Sequence, residues 1–210
     1  MVGTTQLWTL VRAERETLCE FLGNLDQSHW QQKSLCPPWT VRHIVAHIAA
    51  AGSTATGAWL ANMLRSGFNT DRHNARLLEK FLGDSPDQTF DNFQNSCGNS
   101  IAALNSVPAL LGEVVVHSQD IAVPLGITLQ PGAESIREVA EFFVSDNFAV
   151  NSKTLAKGLK IVAVDQEFAV GTGPEVRGKL LDIVMVLAGR RHGLPQLEGD
   201  GVQELQRRLG

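Results

Sequence analysis

The sequence predicts a mainly α fold: an up-and-down four-helix bundle followed by a small α+β C-terminal region. Two observations predict it. Through about the first 125 residues, apolar side chains recur at the helical spacing of about 100° per residue, and the connections between these stretches are short. Further on, in GLKIVAVDQEFAVGTG, the periodicity changes to alternation of apolar and polar residues, the mark of half-buried strands.

Taken in order, the first helix is expected over about Thr5–Leu25, with Leu7, Leu10, Val11, Leu18, Phe21 and Leu22 as its buried stripe. The second starts behind the Pro37–Pro38 pair with Thr40 as its N-cap and runs toward Ser66, with a break expected at Gly52–Gly57. A third covers about Asn74–Leu82 and a fourth about Thr89–Ser106. The fifth runs over about Ala109–Val123 and is stopped by Pro124 and Gly126. Beyond ITLQPG, residues 134–150 read as a helix, and Leu159–Val164 and Phe168–Val170 as two strands with a turn near Asp165–Gln166. Glu175–Arg191 reads as a buried helix, and GDGVQELQRRL as a short closing one. The domain reading is a helical bundle over 1–128 and an α+β domain over 129–210.

Composition narrows the function classes. The chain has 210 residues, 43% of them hydrophobic and 19% charged, a balance that supports a buried core. With 18 basic and 22 acidic residues the net charge is −4, which offers no general attraction to nucleic acid or anionic lipid. The beginning of the chain is charged and helix-patterned rather than signal-like, and no stretch reaches the roughly 18 apolar residues of a membrane span. Cys19, Cys36 and Cys97 lack metal-type spacing and suit reduced thiols. The expectation is a cytoplasmic protein with no nucleic-acid or membrane partner; composition leaves the oligomeric state open.

The chemistry-bearing residues fall on two helices. In LLGEVVVHSQDIAVPLG (110–126) the apolar residues surround the helix axis, so the helix is buried. Glu113 and His117 nevertheless share one face of it, one turn apart. A buried carboxylate costs several kcal/mol unless it is paired, protonated or bound to a cation. An internal Glu–His hydrogen bond satisfies that demand, and so does a metal. In VRHIVAHI (41–48), His47 projects nearer the apolar stripe Val41, Ile44, Val45 and Ile48 than His43 does, so His47 is the better placed to reach the core. His43 stands third after the Thr40 cap, where Glu or Gln closes a capping box.

His47, Glu113 and His117 together make a two-histidine, one-carboxylate set. It suits zinc, with non-haem iron, nickel and manganese as rivals, and leaves positions open for water or substrate. Asp120, three residues after His117, can orient an imidazole or meet the helix end.

Three stretches, SLCPPWTVRHIVAHI, GEVVVHSQDIAVPLG and GKLLDIVMVLAGRR with the LEGDGVQELQRRL ending, resemble the mycothiol-dependent maleylpyruvate isomerase family. The similarity lies in a Trp-Thr-Val-Arg run leading to a histidine, a Glu-x-x-x-His-x-x-Asp pattern and a Gly-Arg helix with a Gly-Asp-Gly ending. It spans nearly the whole chain, ERETLCEFLGNL and FNTDRHNAR included.

The resemblance implies a DinB-like four-helix bundle with a zinc-type site at His47, Glu113 and His117, then a sterol-carrier-like α/β region. It also implies mycothiol as cosubstrate, hence an actinobacterial source, a small-molecule thiol and an electrophilic substrate as partners, and isomerase or S-transferase chemistry. Metal-dependent hydrolysis and non-catalytic metal or ligand binding are the alternatives. Arg190 and Asp120 are the candidates for substrate or cosubstrate binding, Arg190 otherwise being a surface residue at a helix end. Two departures from the family pattern stand out: Pro38 replaces a glycine, and His43 replaces an aspartate, which would remove the capping-box acid.

Overall fold

A computed structural model describes residues 2–148 and 150–210 and divides the chain into two compact units. One comprises Gly3–Pro131, and the other Gly132–Gly210 with Val2. The architecture is mainly helical with one small sheet, in agreement with the fold class read from the sequence. None of the helices among the described residues is long and apolar enough to cross a membrane.

The helical unit holds α1 (Thr4–Gly23), α2 (Val41–Ala51), α3 (Thr56–Arg65), α4 (Thr70–Leu82), α5 (Pro86–Cys97) and α6 (Val107–Ala122). α2 lies at its centre, packed against α4, α5 and α6, while α1 closes the bundle against α5 and α6. The shared core includes Leu18 and Leu22 of α1, Ile44, Val45 and Ile48 of α2, Phe93 of α5 and Val114 and Ile121 of α6. These are the positions that helical periodicity assigns to the interior.

Arg42 fastens α2 to the end of α4. Its Nη2 donates to the carbonyls of Leu82 (3.1 Å) and Gly83 (2.6 Å), and its Nε to Thr89 Oγ1 (2.9 Å), which satisfies carbonyls that the end of α4 would leave bare. The expected break after the second helix is present, with α2 ending at Ala51 and α3 starting at Thr56.

The fourth helix is shorter than its pattern suggests. α5 begins at Pro86, with Ser85 accepting from Gln88 N, and stops at Cys97. Beyond it, Leu104 (φ 52°) and Asn105 (φ 58°) take left-handed conformations that no helix tolerates. A buried arginine completes the end: Arg15 Nη1 donates to the carbonyls of Ser96, Cys97 and Asn99.

The second unit holds α7 (Ala133–Ser145), α8 (Ser152–Ala156), β1 (Lys160–Ala163), β2 (Ala169–Val170), β3 (Glu175–Gly178), α9 (Leu180–Leu187) and α10 (Val202–Arg208). The helix expected over 134–150 ends at Ser145, and Ala149 at its far end lies outside the described residues, as does Met1. The sheet order is β2-β1-β3. β2 pairs antiparallel to β1 (Ile161 opposite Val170), and β3 parallel to it (Ile161 opposite Val176).

The third strand corrects the expectation of one helix over Glu175–Arg191. Val176 points inward and Arg177 outward, and Arg177 exchanges both backbone hydrogen bonds with Glu198. A Cβ on Gly178 would lie 2.5 Å from Leu197 Cδ2 and 3.2 Å from the Gln196 carbonyl oxygen, so a side chain there would have to push Leu197 aside. Helix starts only after Lys179, whose extended backbone makes the N-cap of α9. α9 is buried from Ile183 through Leu187 and packs against α7.

Candidate metal centre

The site is built from a tight loop, one turn of α2 and one turn of α6. The loop is closed by its own backbone: Ser34 N donates to Trp39 O (3.0 Å) and Trp39 N to Cys36 O (3.0 Å), while Ser34 Oγ donates to Trp39 O (2.8 Å). Within it, the Pro37–Pro38 peptide is cis. The loop sets the Trp39 ring 4.9 Å from that of His47 and 6.5 Å from that of His117, centroid to centroid. A further bond, Leu35 N to the Asp120 carbonyl (3.0 Å), ties the loop to α6.

α2 starts where the sequence says it should, and its cap is intact. Thr40 N donates to His43 Nδ1 (3.3 Å), and Thr40 Oγ1 lies 2.7 Å from the same nitrogen. His43 therefore closes the capping box that an acid would otherwise close: the acid is absent, as the sequence implies, and the box is kept. Burial, with the Arg42 charge beside it, holds the His43 pKa below its ordinary value and keeps that nitrogen an acceptor.

One turn further on, His47 is 9% exposed and meets α6. Its Nε2 lies 3.0 Å from Glu113 Oε2, and His117 Nε2 approaches the same oxygen at 3.1 Å. The two imidazoles stand edge to face, 4.9 Å apart. On its other side His117 Nδ1 meets Asp120 Oδ2 at 2.7 Å, a charge-assisted hydrogen bond with a carboxylate that has no exposed surface.

These contacts fix the charges of the metal-free cluster. Burial works against the charged form of His117, but Asp120 and Glu113 together outweigh it and push its pKa up to about 9. Burial likewise opposes ionisation of Glu113, and the hydrogen bonds and charges of His117 and His47 overcome it, so its carboxyl titrates well below the usual range. Glu113 is thus an anion gripped between two imidazole N–H groups.

One ligand atom from each of His47, Glu113 and His117 lies within 4.8 Å of the others. That donor set fits a divalent cation. Both histidines turn Nε2 to a common point beside a carboxylate oxygen, and Asp120 fixes the proton of His117 on Nδ1, so that releasing the Nε2 proton exposes a lone pair. Zinc, iron, nickel and manganese all accept such nitrogen and oxygen donors.

Of the residues singled out in the sequence, the structure gathers His47, Glu113, His117 and Asp120. Asp120 is fully buried, and its Oδ2 meets His117 Nδ1 at 2.7 Å. Arg190 belongs to the second unit, where its Nη1 donates to the Ala188 carbonyl (2.6 Å). Trp39 was not anticipated as a wall of the site. Its ring reaches the histidines through loop geometry that helical periodicity does not encode, and the Trp-Thr pair ahead of the helix was the one available signal.

Residues 11–109 match the mycothiol maleylpyruvate isomerase N-terminal domain, a stretch that includes His47 and ends before Glu113. Among solved structures, the chain is similar to a mycothiol-dependent maleylpyruvate isomerase, with 17% identity, a TM-score of 0.66 and coverage of 95% of this chain and 93% of that one. A histidine-to-alanine mutant of a mycothiol-dependent maleylpyruvate isomerase matches at 16% identity with the same score and coverage. At such identity these neighbours establish the shared fold. No curated protein sequence matches the chain. Over residues 11–109, just under half of its length, the chain is thus similar to the mycothiol maleylpyruvate isomerase N-terminal domain.

Proposed function

We propose that this chain is a thiol-dependent enzyme of the maleylpyruvate isomerase kind, with a divalent cation, zinc first among them, held by His47, Glu113 and His117. The observation that carries the reading is the convergence of two imidazole nitrogens from separate helices on one Glu113 oxygen. The family match over residues 11–109 supports the thiol: mycothiol or a close relative as cosubstrate, in the reducing cytoplasm of an actinobacterial cell.

When bound, the cation supplies positive charge that lowers the pKa of a thiol and so provides a thiolate near neutral pH. The chain's own residues do the rest. Asp120 keeps the His117 proton on Nδ1 and the ring in place. Glu113 contributes the negative charge that balances part of the cation's. Trp39 lays an apolar ring beside both histidines and limits water there. A thiolate adding to an electrophilic carbon of an unsaturated acid turns a double bond into a rotatable single bond. Loss of the thiol after rotation completes an isomerisation, and retention of the adduct makes the reaction a transfer. Arg190, in the proposed 129–210 domain, is assigned to an anionic group of substrate or cosubstrate.

The test is metal content and thiol-dependent turnover. Purified chain should carry about one zinc or similar ion, lost in His47→Ala and His117→Ala. Maleylpyruvate, the substrate named for the neighbours, is the first electrophile to try, with mycothiol present or omitted and Glu113→Gln as control. Turnover that does not need the thiol would point to hydrolysis, and metal-free protein with unchanged variants would end the assignment.

A further inference from the structure

The second unit holds a cavity of about 560 Å³, the size of a small-molecule site, lined wholly by its own elements. Its floor follows from strand periodicity. Leu159 and Ile161 are buried on either side of the exposed Lys160, so they share one face, and Val170 of β2 stands opposite Ile161 on that face. Val144, near the end of α7, completes the apolar lining. The other wall is α8, a helix of only five residues that is tied down from two directions. Asn147 Nδ2 donates to Thr154 Oγ1 (2.8 Å), and Thr154 N donates to Asn147 Oδ1 (3.1 Å). From α10, Arg208 Nη1 donates to the carbonyls of Leu155 (2.6 Å) and Lys157 (2.7 Å). Gly158, left-handed at φ 70°, then turns the chain from α8 into β1, so wall and floor meet at the cavity.

Charge decides what fits. Lys153 and Lys157 stand one turn apart, exposed at the rim of the cavity. Among the described residues neither ion-pairs with a carboxylate, whereas the neighbouring Lys160 has Glu175 at 2.9 Å. None of the described residues lining the cavity is acidic. We propose that this cavity binds a small apolar carboxylate, its hydrocarbon body on Leu159, Ile161 and Val170 and its head between Lys153 and Lys157. Burial of the body supplies most of the affinity, and the two ammonium groups select for an anion. A cation of the same shape is repelled by both lysines, and a bare inorganic anion leaves the apolar floor wet. The candidate metal ligands all belong to the other unit, so the two sites share no residue.

Decanoate and 1-naphthoate, a chain and a ring carrying the same head, are titrated into the full chain by isothermal calorimetry. The cation 1-naphthylmethylamine serves as the control of matching body. At least one acid should saturate at one per chain, and the amine should bind about tenfold more weakly or not at all. Lys153→Gln combined with Lys157→Gln, both at exposed positions, should weaken the acid by about 3- to 30-fold. Added salt should weaken binding to wild type more than to this double variant. Val170→Trp, which fills the floor, should abolish binding. His47→Ala should bind the acid as wild type does, which tells this site apart from capture of a carboxylate by a cation in the other unit. The proposal fails if neither acid binds, if the amine binds as well as the acids, if the double lysine variant binds unchanged, or if His47→Ala abolishes binding.

Discussion

Asp120 touches the candidate ligand His117 from a position with no exposed surface. Asp120→Asn keeps the shape and removes the charge, and should weaken zinc binding by about 10- to 100-fold, measured by competition with a chelating dye. The charge state of His117 sets a pH dependence. In the metal-free chain its pKa is raised from 6.5 to about 9, so the stability it contributes is complete below 6.5 and is lost as pH rises through about 9. Glu113, depressed below its ordinary 4.5, gives stability that is lost only as pH falls through the acid range. Urea midpoints of metal-free protein should therefore drop between pH 6.5 and about 9, and zinc-loaded protein should show no such drop. An alkaline midpoint indifferent to metal would contradict the charge assignment. The Glu113–His117 pair was legible in the sequence because polar residues one turn apart are conspicuous in a helix apolar all round. His47 was separable from His43 by its angle to the stripe. Trp39 was not, because a loop has no period to read.

At the scale of elements, the joint between α1, α2 and α5 rests on a buried arginine. Arg15 has no exposed surface, and Gly52, just after α2, lies against its guanidinium, so a Cβ at 52 would run into Arg15 Nη2. Three carbonyl bonds prevent Arg15 from swinging aside. Gly52→Ala should cost about 1–3 kcal/mol by chemical denaturation, while Gly57→Ala, with open space around it, should cost little. At the start of α2, His43→Ala removes the acceptor for Thr40 N and should cost about 1 kcal/mol. The sequence located the start of α2 and its break at Gly52 because a cap, a proline pair and a glycine act locally. It hid β3 because Glu175–Gly178 is too short to display alternation, and its pairing with residues 160–163 comes from elsewhere in the chain. It also overextended α5, whose end is settled by Arg15 far away in sequence.

For the whole molecule, a cation bound only by the folded chain must stabilise it in proportion to its occupancy. At about 100 times the dissociation constant the gain is about 2.7 kcal/mol, a rise in the thermal midpoint of roughly 5 to 10 °C. A titration with zinc in a thermal-shift assay should saturate at one ion per chain, and His47→Ala should abolish the shift. The mainly α character and the later α+β region were legible at this scale because periodicity accumulates over long segments. The packing order around α2 was not, since stripes say which face is buried and not against which neighbour. One oxygen of Glu113 already answers two imidazoles before any ion arrives. Its charge is therefore met within the protein itself, and if the proposed cation binds there, loading would follow folding, unlike in small zinc modules that are unfolded without metal.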